Sequence, residues 1–297
     1  IYILCSMVSC WIWLFYAYTT DFQMMLVITF FYTVFYAPII AFLESFTMDV
    51  LGSGKRRYGR IRAWGSISFI ATVLLLGRVI DFYSIRVILA VVFMGSLLQA
   101  FLAFGMPEVE TGKKKRSAAG LGEFAKPRIM LFVFCAFLML VSHGAYYNFF
   151  SIHLEKLGHG GMFIGFAWAL ASAAEIGVMI RSKAVFDRFS IENVICFSFA
   201  VAVLRWFGFF WAESWLGILL LQLLHAVTYG TFHMASILYI DSMISPENKT
   251  LGQAVNNAVT YGLGLIVGFY LSGLFFESLG LYMLFAISGG LAMAGGS

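Results

Sequence analysis

The sequence predicts an all-α polytopic membrane protein, and three observations carry that prediction. Hydrophobic residues make up 61% of the 297-residue chain and charged residues 11%, against roughly 25% charged in soluble domains. Apolar runs of bilayer-spanning length, about 20 residues each, recur from one end of the chain to the other. The basic residues gather in alternate connectors, the distribution that marks cytoplasmic loops.

Taken in order, the runs predict ten spans, at 1–18, 23–46, 64–82, 84–106, 128–152, 160–182, 191–211, 214–240, 251–275 and 279–296. Pro107, Pro127 and Pro246 fall between spans, where helix breakers belong. Pro38 alone is inside one, where neighbouring helices absorb the lost hydrogen bond. Lys55, Arg56, Arg57, Arg60 and Arg62 share one connector, Lys113 to Arg116 with Lys126 and Arg128 the next but one, Arg181, Lys183 and Arg188 another, and Lys249 the last. Only Arg78, Arg86, Lys156 and Arg205 fall elsewhere. The basic loops are therefore read as cytoplasmic.

One connector is long. Residues 107–127 (PEVETGKKKRSAAGLGEFAKP) are charged and rich in Gly, Ala and Ser, the composition of a solvated linker. It divides the chain into an N-terminal bundle (1–106, four helices), a cytoplasmic linker (107–127) and a C-terminal six-helix bundle (128–297). Four helices before the linker and six after it suggest two pseudo-symmetric six-helix halves. The chain also opens inside an apolar run, at Ile1. The expectation is a fragment of a twelve-helix protein lacking its first two helices.

Several function classes are excluded at this level. Cys5, Cys10, Cys135 and Cys196 lie in apolar runs without metal-ligand spacing, so they read as buried free thiols. The net charge of +4 is accounted for by the loops, and nucleic acid is not an expected partner. No dinucleotide fingerprint, phosphate loop, zinc-protease motif or nucleophile elbow occurs, so no enzyme and no cofactor are expected.

Charge inside the spans is the informative feature. Arg205 is the one charged residue between Asn193 and Ala212, and Glu175 the one between Leu157 and Ile180. The next span has none but holds His225 and His233. A charge in a bilayer costs at least a few kcal/mol, and such residues mark substrate, ion or proton routes. Glu175 is expected to pair with Arg205, a structural pair that can also bind substrate or exchange a proton as their separation changes. Gln222, His225, Thr228 and Tyr229 recur at helical spacing as one polar stripe, with His233 two turns beyond His225. His143, Asn148 and Asn256 are expected to support that pathway through interhelical hydrogen bonds. Near the other end, Glu44 closes the second span, and Arg62 opens the third beside Trp64 and small residues, where its planar fork suits a carboxylate or vicinal hydroxyls. Gly264 and Gly268, at GxxxG spacing, are read as close helix packing.

Four segments carry a resemblance: APIIAFLESFTM (Ala37–Met48), YGRIRAWGSISF (Tyr58–Phe69), SHGAYYNFFSIHLEKLG (Ser142–Gly158) and LHAVTYGTFH (Leu224–His233). They resemble the phenylpropionate permease branch of the major facilitator superfamily, which is similar in layout to lactose permease. The resemblance covers essentially the whole chain. It implies that Glu44 and Arg62 form an N-half acid–arginine pair for substrate, and that Phe69 stands at an aromatic platform. It also implies that Glu175, Arg205 and His225 serve binding and proton coupling in the C-half. Thr228 stands where lactose permease keeps a proton-carrying glutamate, Gln222 replaces a lysine, and His143 an aspartate. The coupling chemistry therefore does not carry over whole.

The reading is a secondary transporter working by alternating access, a proton symporter for a small organic solute. Substrate binding is assigned to Glu44, Arg62, Phe69, Glu175 and Arg205, and proton coupling to Glu175 and His225. Tyr146 and Tyr147 could pack on an apolar substrate body or simply fill the core. Two arginines favour an aromatic or short organic acid; a sugar or nucleoside is the competing class, and a non-translocating receptor or scaffold another. The expected partners are the substrate, protons and the bilayer of the bacterial inner membrane. The proton gradient is the driving force, and the protein is expected to be a monomer.

Overall fold

The computed structural model describes residues 2–51, 58–106, 118–245 and 248–297. Among these the regular elements are helical throughout: α1 (Tyr2–Trp13), α2 (Phe22–Leu51), α3 (Tyr58–Phe82), α4 (Val87–Ala103), α5 (Pro127–Ser142), α6 (Gly144–Lys156), α7 (Gly161–Arg188), α8 (Ile191–Trp211), α9 (Trp215–Leu223), α10 (Phe232–Met243), α11 (Lys249–Asn257) and α12 (Gly264–Gly296). Among the described residues seven stretches are long and apolar enough to cross a membrane, and Tyr2–Ala17 and Val87–Ala103 are shorter apolar helices. The last stretch, Leu251–Gly296, is 46 residues long, about twice what a bilayer needs. Gly280 divides it, with φ 74° and ψ 170°, a backbone region essentially reserved for glycine. The ten expected spans are thus all present as helix, the ninth and tenth separated at that glycine.

The chain divides into two compact units, Ile1–Ile67 with Arg78–Lys114, and Ser68–Gly77 with Lys115–Ser297. In the first, α1 packs on α2 and α4. Trp13 Nε1 donates to Leu89 O at 2.9 Å, and Tyr16 and Thr29 share a hydroxyl hydrogen bond of 2.7 Å. Indole and phenol ends at the rim of an apolar bundle find such partners because they carry both an apolar body and a polar tip.

The second unit holds the core, built on Trp206, Tyr146, Phe150, Phe209, Phe232 and Phe285, all essentially buried. α12 runs against α5, α6 and α8. Helices approach this closely because glycines line the seams: a Cβ added at Gly264 would lie 3.1 Å from Leu140 Cβ, and one at Gly268 would lie 2.7 Å from Val141 O.

Of the expected linker, residues 107–117 lie outside the described residues. Ala118–Ala125 forms a 3-10 helix, and Pro127 opens α5, where its missing N–H is no loss. The Glu123 carboxylate accepts from Ser245 N (3.0 Å), Ser245 Oγ (2.5 Å) and Asn248 Nδ2 (2.6 Å), which ties this helix to the turn between α10 and α11. The Ser245 and Asn248 donors hold the carboxyl well below the usual range, at about 2. A depressed carboxyl stabilises the fold above its unfolded value, about 4.3, and that stabilisation is lost as pH falls toward 2. Amide exchange in 118–125 should therefore accelerate as pH drops from about 4 to 2, beyond the intrinsic trend, and Glu123→Ala should show the same loosening at pH 7. Protection unchanged in Glu123→Ala would remove the latch.

Candidate functional site

Ser190 caps α8 by accepting from Asn193 N, and Ser214 caps α9 by accepting from Gly217 N. These caps start the two helices whose facing sides hold the polar stripe. Arg205 lies about four turns into α8 and is fully buried. Its Nε donates to Leu221 O (3.1 Å), Nη1 to His225 Nδ1 (2.9 Å) and Thr228 Oγ1 (3.2 Å), and Nη2 to Gln222 Oε1 (3.0 Å). Four of its five N–H groups thus go to one face of α9 and the turn after it. Its guanidinium carbon lies 4.3 Å from the Tyr146 ring centroid and 4.7 Å from that of Trp206, contacts that stabilise a desolvated cation. Gln222 continues the network, donating through Nε2 to Ala167 O of α7 at 2.9 Å.

His225 stands between the two intramembrane charges. Its Nε2 is 2.9 Å from Glu175 Oε1, while its Nδ1 faces Arg205. A guanidinium has only donors, so Nδ1 is the acceptor and the ring proton is on Nε2, given to the Glu175 carboxylate. The expected association of Glu175 with Arg205 therefore runs through an imidazole, whose tautomer the arginine selects. Glu175 is 17% exposed at its side chain, His225 4%, so the carboxylate is the end of this chain nearer the surface.

The other candidate residues fall as follows. His143, at the join of α5 and α6, is fully buried, with Nδ1 2.8 Å from Met139 O. Its ring centroid lies 4.8 Å from that of Trp206 and 6.0 Å from that of His225. His233 Nδ1 is 2.6 Å from Tyr261 Oη, and the Tyr229 ring stacks on both His225 and His233. Asn148 ties α6 to α12 through Phe269 O and Ser272 Oγ. Asn256 is buried and accepts from Thr260 Oγ1. Phe69 is 45% exposed. The backbone of Glu44 is in α2 and that of Arg62 in α3, but their side chains lie outside the described residues.

Two features were not anticipated. Ala226–Thr231 and Ala258–Leu263 are π-helical turns, a form common at functional sites. The signal was in the chain: the pentapeptide AVTYG occurs at Ala226–Gly230 and again at Ala258–Gly262. In the first turn Thr231 Oγ1 donates to Ala226 O at 3.1 Å, meeting a carbonyl with a side chain, and Gly230 lies directly against Glu175. The tyrosines of the two repeats, Tyr229 and Tyr261, meet edge to face.

The model of the MFS_1 like family matches residues 1–287. The chain is 27% identical over 255 residues to a probable 3-phenylpropionic acid transporter of Escherichia coli (strain K12), covering 84% of this chain and 66% of that protein. It is 27% identical over 275 residues to the putative nucleoside transporter YegT of the same strain, covering 84% of this chain and 63% of the relative. The chain thus spans a little under two thirds of the length of both. Among solved structures it is similar to the crystal structure of the nucleoside transporter NupG, with a TM-score of 0.87 at 16% identity over 99% of this chain and 80% of that one. At that identity the likeness shows the fold, a membrane transporter fold of the major facilitator type.

Proposed function

The chain belongs to the MFS_1 like family, and on that premise we propose that it is a secondary transporter of the bacterial inner membrane, a proton symporter that carries a small aromatic organic acid by alternating access. The observation that carries this reading is the buried line Glu175–His225–Arg205. An added proton has two landing places on it. One is the Glu175 carboxylate, which leaves both bonds of His225 in place, with that to Glu175 now between neutral groups. The other is His225 Nδ1, which requires Arg205 to let go. Proton exchange and the position of Arg205 are thereby linked, and that linkage is the element a symporter needs. Thr228, which accepts from Arg205, holds the cation and offers no titratable group.

The substrate class is supported by the aromatic walls around the network, with Tyr147 and Trp168 stacked at 6.2 Å and 10°, and by the phenylpropionic acid transporter relative. Glu44, Arg62 and Phe69 are assigned to the substrate as its further ligands. A nucleoside or sugar is the second reading, favoured by the nucleoside-transporter relative. One assay separates them. Full-length protein is expressed in lightly buffered, energy-depleted cells, and external pH is followed while aromatic carboxylates, then nucleosides and sugars, are added. Alkalinisation on adding the carboxylates, abolished in Glu175→Gln while substrate exchange persists, is the expected result. Labelled carboxylate uptake with no pH change would end the symport reading, and alkalinisation by nucleosides alone would replace the substrate.

A further inference from the structure

We propose that His143 is where proton and substrate meet: its Nε2 holds the cotransported proton in a single hydrogen bond to the substrate carboxylate. This rests on the organic-acid reading above, in which Glu175 and His225 exchange the proton with the surroundings. His143 Nδ1 lies 2.8 Å from the Met139 carbonyl, so Nδ1 carries the ring proton and Nε2 presents a bare lone pair. That atom is buried and has no hydrogen-bond partner among the described residues. A buried acceptor left unmet costs about 1–3 kcal/mol. Its neighbours Gln222, His225, Thr228 and Arg205 are all bonded; the unpartnered buried atoms at this network are His143 Nε2 and the Tyr146 hydroxyl, and of the two only the nitrogen offers a basic lone pair.

Charge balance makes that nitrogen a coupling site. The titratable and charged groups around His143 are Tyr146 and Tyr147 on α6, Arg205 on α8, and His225 and Tyr229 at the π turn, with Glu175 of α7 behind His225. Arg205 and Glu175 cancel. A proton arriving alone would leave one unbalanced positive charge in a low-dielectric core, and a carboxylate alone one unbalanced negative charge. Either costs several kcal/mol. Arriving together they leave the cluster neutral. At Nε2 of His143, as at the Glu175 carboxylate, the proton breaks no existing bond; at His143 it also fills an unpartnered position and becomes the donor that a carboxylate accepts. Tyr147 and Tyr229, both half-buried, flank the ring and supply flat walls for an aryl group that enters by displacing one of them. No covalent change is involved; the proton comes from water and leaves with the acid.

The test is equilibrium binding by full-length protein in detergent, with 3-phenylpropionate and its neutral amide as probes. Wild type should take up one proton per carboxylate bound, with affinity falling tenfold per pH unit above the titration of the site, whereas the amide, which donates its own N–H, should bind independently of pH. His143→Gln places a permanent N–H donor near Nε2, so it should bind the carboxylate within about tenfold of wild-type affinity at low pH and take up no proton. Retention of the full proton uptake in His143→Gln would overturn the proposal while leaving the transporter reading intact. Carboxylate that fails to bind wild type at any pH would overturn both. If the variant does not fold, 15N-histidine spectra of wild type decide: the His143 Nε2 resonance must move to a protonated position on adding the carboxylate, and an unmoved resonance refutes the assignment.

Discussion

Arg205→Ala is expected to abolish uphill transport and to destabilise the protein more than any other single change in the network. The side chain is fully buried, and its removal strands Leu221 O, Gln222 Oε1, His225 Nδ1 and Thr228 Oγ1 together. It also leaves Glu175 as a carboxylate without the cation that His225 links it to. Breaking a buried charge pair from one side costs on the order of 3–5 kcal/mol, partly relieved where water enters. Arg205→Lys keeps the charge but offers a point ammonium to four acceptors arranged for a planar fork, so it should recover part of the stability and little of the transport. Thermal melting of the purified protein beside uptake assays reads both effects. A Tm for Arg205→Ala within a degree or two of wild type would show that the network does not stabilise the fold as argued. Uptake retained in that variant would remove Arg205 from the coupling step.

Gly144→Ala should be nearly as severe, for a reason of space alone. A Cβ there would overlap the backbone of Gly268 on α12, and one at Gly268 would lie 3.0 Å from Gly144 Cα, against the 3.5–4.0 Å that carbon atoms need. Both sides of the contact are backbone, so no side chain can rotate away and the α6–α12 seam must open by up to about 1 Å. Overpacking of this kind costs about 1–3 kcal/mol, and a rigid contact belongs at the upper end. The neighbouring residue His143 would be displaced with it, so proton-linked binding should fall as well. Gly273→Ala, in α12 with open space around its Cβ position, is the control and should be neutral or stabilising by up to about 1 kcal/mol. Equal melting points for Gly144→Ala and Gly273→Ala would refute the packing argument.

Hydropathy and charge placement were enough to establish membrane spans and the three consecutive helices that carry a charged or titratable residue, because a bilayer acts on composition along the chain. Helical spacing likewise put Gln222, His225 and Thr228 on one face, since that depends only on the geometry of a single helix. Tertiary structure decided the rest. That Arg205 turns to this face, that His225 comes between it and Glu175, and that Nε2 of His143 is left over all depend on the rotation and depth of helices remote in sequence. At the first AVTYG repeat the wide turn sits among such contacts, with Arg205 on the Leu221 carbonyl and Glu175 packed on Gly230. Periodicity names the face a residue is on; which atom it meets is a property of two helices, and only their packing sets it.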